Sequence, residues 1–255
     1  MKILAAFAKE YWVSVGILFL LCAQATYAGP PFNTDDPDPV EYKHWEFYIS
    51  TINTFRPTEW TGTCPHFEMN YGLVQNVQVH LITPLNYDAT SKEVDLGYAY
   101  TEVGMKYRFV KETKSTPEIG TFPIIEIPTI KNDKFSNGSV QVYLPLWLQK
   151  SWDKLTTYGG AGYWINPGSN NRNWLFAGWE LQYDISKVVT LGGELYFQSA
   201  NAVGSKSSLA FNFGGIINAS EKTHFIFSVG HSIINDNFFT AYAGIQWTVS
   251  FSRHN

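Results

Sequence analysis

The sequence has 255 residues, enough for one large domain or one closed barrel. Charged residues make up 16% of it, against roughly 25% in an average soluble domain, and aromatic residues also reach 16%. This mixture is too apolar for a disordered chain and too poor in charge for an ordinary soluble surface. The net charge of −4, without a basic patch, argues against a nucleic-acid partner.

The first 28 residues have the pattern of a secretory signal peptide. Lys2 and Lys9 carry positive charge near the amino end, and an apolar run from Tyr11 to Cys22 follows them. This run is too short to cross a bilayer as a mature helix. We therefore expect residues 1–28 to be removed, with cleavage after Ala28, and an uncleaved anchor helix is the alternative.

Residues 29–42 form a separate element that contains four prolines and four acidic residues. The prolines exclude a regular strand. The segment is either a flexible periplasmic lead or a plug folded into a lumen, and Asp35, Asp36 and Asp38 are then the candidate plug residues. These carboxylates could hold a hard cation only if further oxygen ligands converged on them, so we predict neither a metal site nor a cofactor.

From residue 43 onward the chain repeats a unit of about ten residues of alternating polarity followed by a turn or loop. No segment in this part is apolar enough for a membrane helix. If the chain enters a membrane it must therefore do so as strands, and only a closed barrel leaves no strand edge unpaired in hydrocarbon. The predicted strands are about 43–54, 63–71, 77–85, 97–109, 117–127, 139–149, 155–165, 173–183, 188–198, 207–217, 222–231 and 240–251.

The predicted fold class is thus all-β, a closed antiparallel transmembrane β-barrel of about 12 strands over residues 43–251, followed by a short extension at 252–255. A soluble lipocalin-like barrel also alternates in polarity. Alternating short and long connections, and aromatic residues near the strand ends, favour the bacterial outer membrane. The aromatic residues predicted at the membrane interfaces are Trp45, Tyr71, Phe109, Trp152, Tyr183 and Phe251 at the periplasmic ends and Trp60, Trp164, Trp174 and Phe239 at the outer ends.

The parity of the strands also predicts which side chains face lipid and which face the lumen. Val103, Met105, Trp179, Leu191 and Val249 fall on the lipid side. Glutamate outnumbers lysine and arginine on the other side, which favours cations inside a narrow pore. Lys106 and Arg108 could instead pair with Glu102 or Glu194 and cancel part of that field. The predicted lumen-lining residues are Glu46, Glu68, His80, Glu102, Lys106, Arg108, Glu180, Glu194, Tyr196 and Gln246.

Several short phrases recur in one family of membrane proteins. They are GPPFNTDDP at 29–37, HWEFY at 44–48, EVGMKYRF at 102–109, TYGGAGYW at 157–164 and GGE at 192–194. Together they resemble the outer-membrane transporter family associated with the meta-pathway of phenol degradation. The resemblance covers most of the chain after the leader, and it implies an outer-membrane barrel that acts as a transporter. It implies neither phenol as the substrate nor any particular functional residue.

An outer-membrane hydrolase with a Ser/His/Asn site is the main alternative from another class. The sequence contains no Gly-x-Ser-x-Gly elbow, and His66 and His80 fit a polar lumen lining, so no catalytic residue is predicted. Eight strands leave room only for side chains and sixteen leave an aqueous channel, so twelve strands predict a narrow pore. We expect a passive channel for small solutes, with a closed structural barrel as the other alternative. Lipid, lipopolysaccharide and the barrel-assembly machinery are the expected partners.

Overall fold

A computed structural model describes residues 30–250 of the chain, except 130–134 and 137. The predicted signal peptide and its cleavage site, Phe251 and the extension at 252–255 lie outside the described residues. Within the described part, no helix is long and apolar enough to cross a bilayer.

The described residues form fourteen strand segments. In chain order they are β1 His44–Phe55, β2 Glu59–Val74, β3 Val77–Thr90, β4 Val94–Tyr98, β5 Tyr100–Val110, β6 Glu118–Thr121, β7 Ile124–Pro128, β8 Gln141–Trp152, β9 Leu155–Ile165, β10 Trp174–Asp184, β11 Val189–Gln198, β12 Ser208–Asn218, β13 Thr223–Ile234 and β14 Phe239–Ser250.

The fourteen segments make a closed barrel of twelve strands, because β4 with β5, and β6 with β7, each act as one interrupted barrel strand. Every neighbouring pair is antiparallel, and the barrel closes where β1 pairs with β14 from His44–Ser250 to Phe55–Phe239. The predicted fold class is confirmed. All twelve predicted strands are present in their predicted order.

Two departures from the predicted strand limits have simple causes. The strand predicted at 117–127 is broken between Thr121 and Ile124, since Pro123 has no N–H to donate to the ladder. Its carbonyl oxygen still accepts from Met105 N at 3.1 Å. The residues after 85 were expected in a loop, but β3 continues to Thr90 and pairs with β4 in a hairpin. A strand that extends beyond the bilayer does not need an apolar face. The alternation of polarity therefore stops before the strand ends, and the predicted strand is too short.

The shortest connections lie at one end of the barrel. Residues 75–76 join β2 to β3 and residues 153–154 join β8 to β9, and in these turns Asn76 and Asp153 adopt positive φ angles of 65° and 53°. Asn and Asp tolerate the left-handed region that such tight hairpin turns require. Short turns mark the periplasmic end of outer-membrane barrels. By that pattern the start of β1 is periplasmic, and the longer connections such as 166–173 face outward.

The outer surface of the barrel is apolar and the interior is polar. Met105 and Trp179 are 49% and 52% exposed, whereas Lys106 and Glu180, their chain neighbours, are buried. A surface that exposes so many large apolar side chains is stable against hydrocarbon and not against water. Because polarity alternates along the strands, these apolar side chains lie together on the outer face, and this face fits a lipid environment.

The predicted aromatic belts need one correction. Trp60 and Trp152 are exposed, at 57% and 55%, as interface residues should be. Trp164 and Trp174, predicted at the outer interface, instead face the barrel interior and stack on each other with ring centroids 5.4 Å apart. Their inward position follows from the register, because both lie on the same face of the sheet as buried Tyr143.

Candidate functional site: the lumen and the N-terminal segment

Residues 30–40, which we call the N-terminal segment, lie inside the barrel. They contact inward-facing side chains of β5 and β11, which stand on nearly opposite sides of the closed sheet. Thr34 and Asp36 are completely buried. The segment therefore spans the lumen between two walls.

Glu194 on β11 holds one end of the N-terminal segment. Its carboxylate accepts hydrogen bonds from the backbone N–H groups of Asn33 and Thr34, both at 2.8 Å. The side-chain amide of Asn212 on β12 donates to the same carboxylate at 2.5 Å. Nearby, Gly178 on β10 lets Thr34 approach the wall, because a Cβ at that position would overlap the Thr34 hydroxyl. Charge-assisted bonds to a buried carboxylate are among the stronger hydrogen bonds.

Lys106 on β5 binds the middle of the N-terminal segment. Its ammonium group donates to Asp35 at 2.9 Å and to Asp36 at 3.2 Å. The Lys106 side chain is 4% exposed and that of Asp36 is 0% exposed. Such a buried charge is tolerated only because its counter-ion is in contact with it.

Further contacts carry the N-terminal segment toward the periplasmic end. The Arg108 guanidinium pairs with Asp38 and also donates to Glu118 at 3.3 Å. Further along, the Val40 backbone N–H donates to the Gln78 side chain at 2.9 Å. The segment thus runs down the lumen beside β5 and β3.

This arrangement decides which carboxylates pair with the two lumen cations. The alternative that Lys106 and Arg108 pair with Glu102 or Glu194 is wrong. Their carboxylate partners are the aspartates of the N-terminal segment, together with Glu118 in the case of Arg108. Glu194 instead accepts hydrogen bonds from backbone N–H groups, so its carboxylate faces the N-terminal segment and neither of the two cations.

A second hydrogen-bonded cluster lies on β2, β3 and β5. His80 contacts Asn70 through Nδ1 at 2.6 Å and Glu102 through Nε2 at 2.8 Å. Asn70 in turn donates to Glu68 at 2.8 Å. Three of the predicted lumen residues are therefore joined in one polar network, which holds the two carboxylates in fixed positions.

The other predicted lumen residues also lie on the inner face. Glu46 is half-buried and accepts a hydrogen bond from Tyr48 at 2.9 Å. Glu180 is completely buried, and Gln246 is 2% exposed. Tyr196 is buried in a cluster of aromatic rings.

That cluster forms one wall of a cavity of about 500 Å³ above the N-terminal segment, which we call the outer cavity. Thr54 and Thr240 line it near the outer ends of their strands, and Pro31 and Asn33 lie at its floor. The facing wall includes Glu68 and Glu102. The rings of the aromatic wall belong to Tyr143, Trp147, Trp164, Trp174, Phe176 and Tyr196.

The aromatic wall was not anticipated from the sequence, although one signal was available. Gly160 and Gly162 both face inward on β9, next to the rings of β8. A Cβ at Gly160 would come within 2.9 Å of the Trp147 ring, and one at Gly162 would overlap the Tyr143 ring. Two inward glycines on one strand therefore mark the space that large neighbouring rings occupy.

Comparisons with known proteins show the fold. No family model and no curated protein matches the chain. Among solved structures, an outer-membrane channel of Pseudomonas putida F1 is similar, with a TM-score of 0.69 and 10% identity over 84% of this chain and 98% of that chain. The NanC porin has a TM-score of 0.54 and 10% identity over 79% and 98% of the two chains. The translocator domain of the Neisseria meningitidis autotransporter NalP has a TM-score of 0.55 and 9% identity over 81% of this chain and 89% of that chain.

At these identities the likeness concerns the fold alone. Together with the apolar exterior, it defines the class of the molecule, an outer-membrane β-barrel.

Proposed function

We propose that this protein is an outer-membrane channel for the passive passage of small solutes. The proposal is supported by a fold shared with a channel and a porin. The observation that carries it is the outer cavity, which lies inside the barrel and ends on the N-terminal segment. Noncovalent contacts hold that segment in the lumen, so it can be displaced without unfolding the wall.

In this proposal a solute enters the outer cavity from outside and reaches the periplasm when the N-terminal segment leaves the lumen. The segment is the part of the interior that joins opposite walls, through Lys106 on one side and Glu194 on the other. Loss of these contacts opens a narrow polar path lined by the inward side chains of the strands. The alternative, a structural barrel that stays closed, requires the segment to remain in place under all conditions.

Deleting residues 30–40 should raise the single-channel conductance several-fold while the barrel stays folded. The wall keeps its strand pairing, because the contacts removed are with the segment and not between strands. Planar-bilayer recordings of the refolded deletion variant test this. Glu112→Gln is the matched control, since Glu112 pairs with Lys150 at 2.7 Å outside the segment. Unchanged conductance in a well-folded deletion variant would favour the closed structural barrel.

Glu102→Gln should shift the reversal potential toward anions under a salt gradient. Glu102 lines the outer cavity, and a carboxylate in a confined, partly desolvated pore acts strongly on a passing ion. The unmodified channel should therefore prefer cations mildly. Glu194→Gln tests a different property, because Glu194 anchors the N-terminal segment. An anion-preferring unmodified channel would contradict the proposed selectivity.

The contacts of the histidines do not favour a hydrolase. His80 engages both ring nitrogens, with Asn70 and Glu102, so neither is left to act as a base toward a serine. His66 lies beside Thr63, with Nδ1 and Oγ1 3.0 Å apart. We therefore keep the non-enzymatic function as the proposal.

Two further assignments belong to the same proposal. Residues 30–37 of the GPPFNTDDP phrase supply the contacts to Glu194 and Lys106, and membership of the transporter family that the sequence resembles is part of the proposal. Lipopolysaccharide on the outer leaflet and the barrel-assembly machinery are the partners that such a barrel would meet.

A further inference from the structure

The aromatic wall of the outer cavity presents ring edges toward its interior. Tyr143 and Trp164 stack with centroids 4.8 Å apart and an interplanar angle of 16°, and Trp164 stacks on Trp174 at 5.4 Å and 8°. Nearly parallel rings this close overlap face to face. The faces of Trp164 are therefore covered by its two neighbours, and its edge is the part that a solute can meet. Ring edges carry the positive part of the aromatic quadrupole.

The same wall contains two polar atoms without a partner. Tyr143 is 6% exposed and Trp147 is 1% exposed, and both line the outer cavity. Neither the Tyr143 hydroxyl nor the Trp147 Nε1–H has a hydrogen-bond partner among the described residues. Both atoms have almost no accessible surface, so a solute in the cavity meets the ring edges of this wall and not these two donors. The face of an aromatic ring is a favourable partner for those edges, because a positive ring edge is attracted to π electrons.

The facing wall has the opposite character. Glu68 and Glu102 carry fixed carboxylates at the cavity, and His80 and Asn70 hold them in place. At the mouth, Arg56 is already paired with Asp236 at 3.0 Å. Asp35 at the floor is paired with Lys106. The cations Arg56 and Lys106 are thus matched by aspartates. His80 lies 2.8 Å from Glu102 and 3.7 Å from Glu68, so the proton it shares offsets one of the two glutamates, and the other leaves negative charge at the cavity.

We propose that the outer cavity is a binding site for small aromatic ammonium ions. The solute's ring lies against the edges of the aromatic wall, and its ammonium group points toward Glu68 and Glu102. One molecule of this class satisfies both walls at once, and a cavity of about 500 Å³ is within the usual range for such ligands. The inference deepens the proposed function, on which it rests, by naming the class of solute that the channel admits.

A charge series on the refolded full-length chain in detergent tests this directly. The probes are benzylammonium, benzyl alcohol and benzoate, which share a ring and differ in charge, and methylammonium, which lacks the ring. Calorimetry should rank benzylammonium tightest and benzoate weakest, with methylammonium weaker than benzylammonium by about tenfold or more for loss of the ring. Benzylammonium that binds no more tightly than benzyl alcohol, or less tightly than benzoate, would overturn the inference.

Variants assign the preference to the two walls. Glu102→Gln should weaken benzylammonium binding about tenfold, the size of one lost charge-assisted hydrogen bond, and leave benzyl alcohol unchanged. Trp164→Leu removes the ring whose edge is proposed to meet the solute, so it should weaken the binding of both benzylammonium and benzyl alcohol. Glu112 lies outside the cavity, so Glu112→Gln should change the affinity for neither benzylammonium nor benzyl alcohol. If Glu102→Gln and Glu112→Gln change benzylammonium binding equally, the assignment to the two walls is overturned. The probe series on the unmodified chain remains a test even if a variant fails to fold.

The binding assay requires no transport, so its failure is separate from that of the proposed function. A chain that binds benzylammonium with the expected ranking but never conducts ions, even after deletion of residues 30–40, would overturn the channel and keep the site. A chain that conducts but shows no charge ranking would keep the channel and overturn the site.

Discussion

Lys106→Met should free the N-terminal segment and raise single-channel conductance toward that of the variant without residues 30–40. The substitution leaves Asp36, which is completely buried, without its cation. Removing one partner of a buried ion pair costs about 3–5 kcal/mol, enough to shift the equilibrium of segment docking by roughly 100- to 4,000-fold. Bilayer recordings measure the conductance, and limited proteolysis measures the exposure of the segment.

A charge-matched variant separates this effect from general damage. Combining Lys106→Met with Asp35→Asn and Asp36→Asn removes charge from both sides, so docking should recover in part and conductance should fall again. Lys150→Met, which breaks the ion pair with Glu112 away from the lumen segment, should leave conductance at the level of the unmodified chain. If Lys106→Met and Lys150→Met conduct alike, the ion pair does not hold the segment.

The second large effect concerns the lipid-facing surface. Met105 lies near the middle of β5 and is 49% exposed on the outer face. Arginine at the bilayer midplane should lower the free energy of unfolding by roughly 2–4 kcal/mol, because the charge must leave water for hydrocarbon. Denaturant titration of Met105→Arg refolded into lipid vesicles measures this loss.

A control for the same substitution exists in the outer hairpin. Leu96 on β4 is 64% exposed, and β4 pairs with β3 beyond the last β3–β5 pair, Ile82 with Glu102. Leu96→Arg should therefore change stability by less than about 0.5 kcal/mol, as a surface substitution in water does. Equal destabilisation by the two arginines would show that Met105 does not face the bilayer core.

Alternating polarity was sufficient to predict the strands, since a membrane barrel has one apolar and one wet face along its whole length. Alternating polarity did not predict the inward face of a strand whose residues do not alternate between apolar and polar. The run from Gly159 to Gly162 is composed of glycine and alanine, so it gives no sign of which parity faces inward. Trp164, two residues later, was consequently placed at the lipid interface, although it faces the outer cavity.

The interior contacts of the N-terminal segment were beyond the reach of sequence patterns for another reason. Lys106 and its partner Asp35 are separated by 71 positions along the chain. The segment has no periodicity of its own, because its prolines exclude regular structure. Its aspartates were recognised as candidate plug residues, but their partners depend on which wall the segment meets. That information comes only from the three-dimensional path of the chain.

A reversible cross-link between the N-terminal segment and the wall tests most directly whether passage requires the segment to leave. A Cβ at Gly178 would stand 3.2 Å from the Thr34 Cβ, a few tenths of an ångström shorter than the range of about 3.5–4.5 Å seen in disulfides, so a small shift of the segment allows the bond. Thr34→Cys with Gly178→Cys, in a Cys64→Ser background, can therefore be oxidised to lock the segment.

Thr34→Cys alone is the control, and its conductance should not respond to oxidation. In the locked variant we expect conductance near zero when oxidised and a return to the level of the unlocked, reduced channel after treatment with a reductant. The same conductance in the oxidised and reduced forms, with the disulfide verified by mass spectrometry, would contradict the proposal that the segment closes this channel.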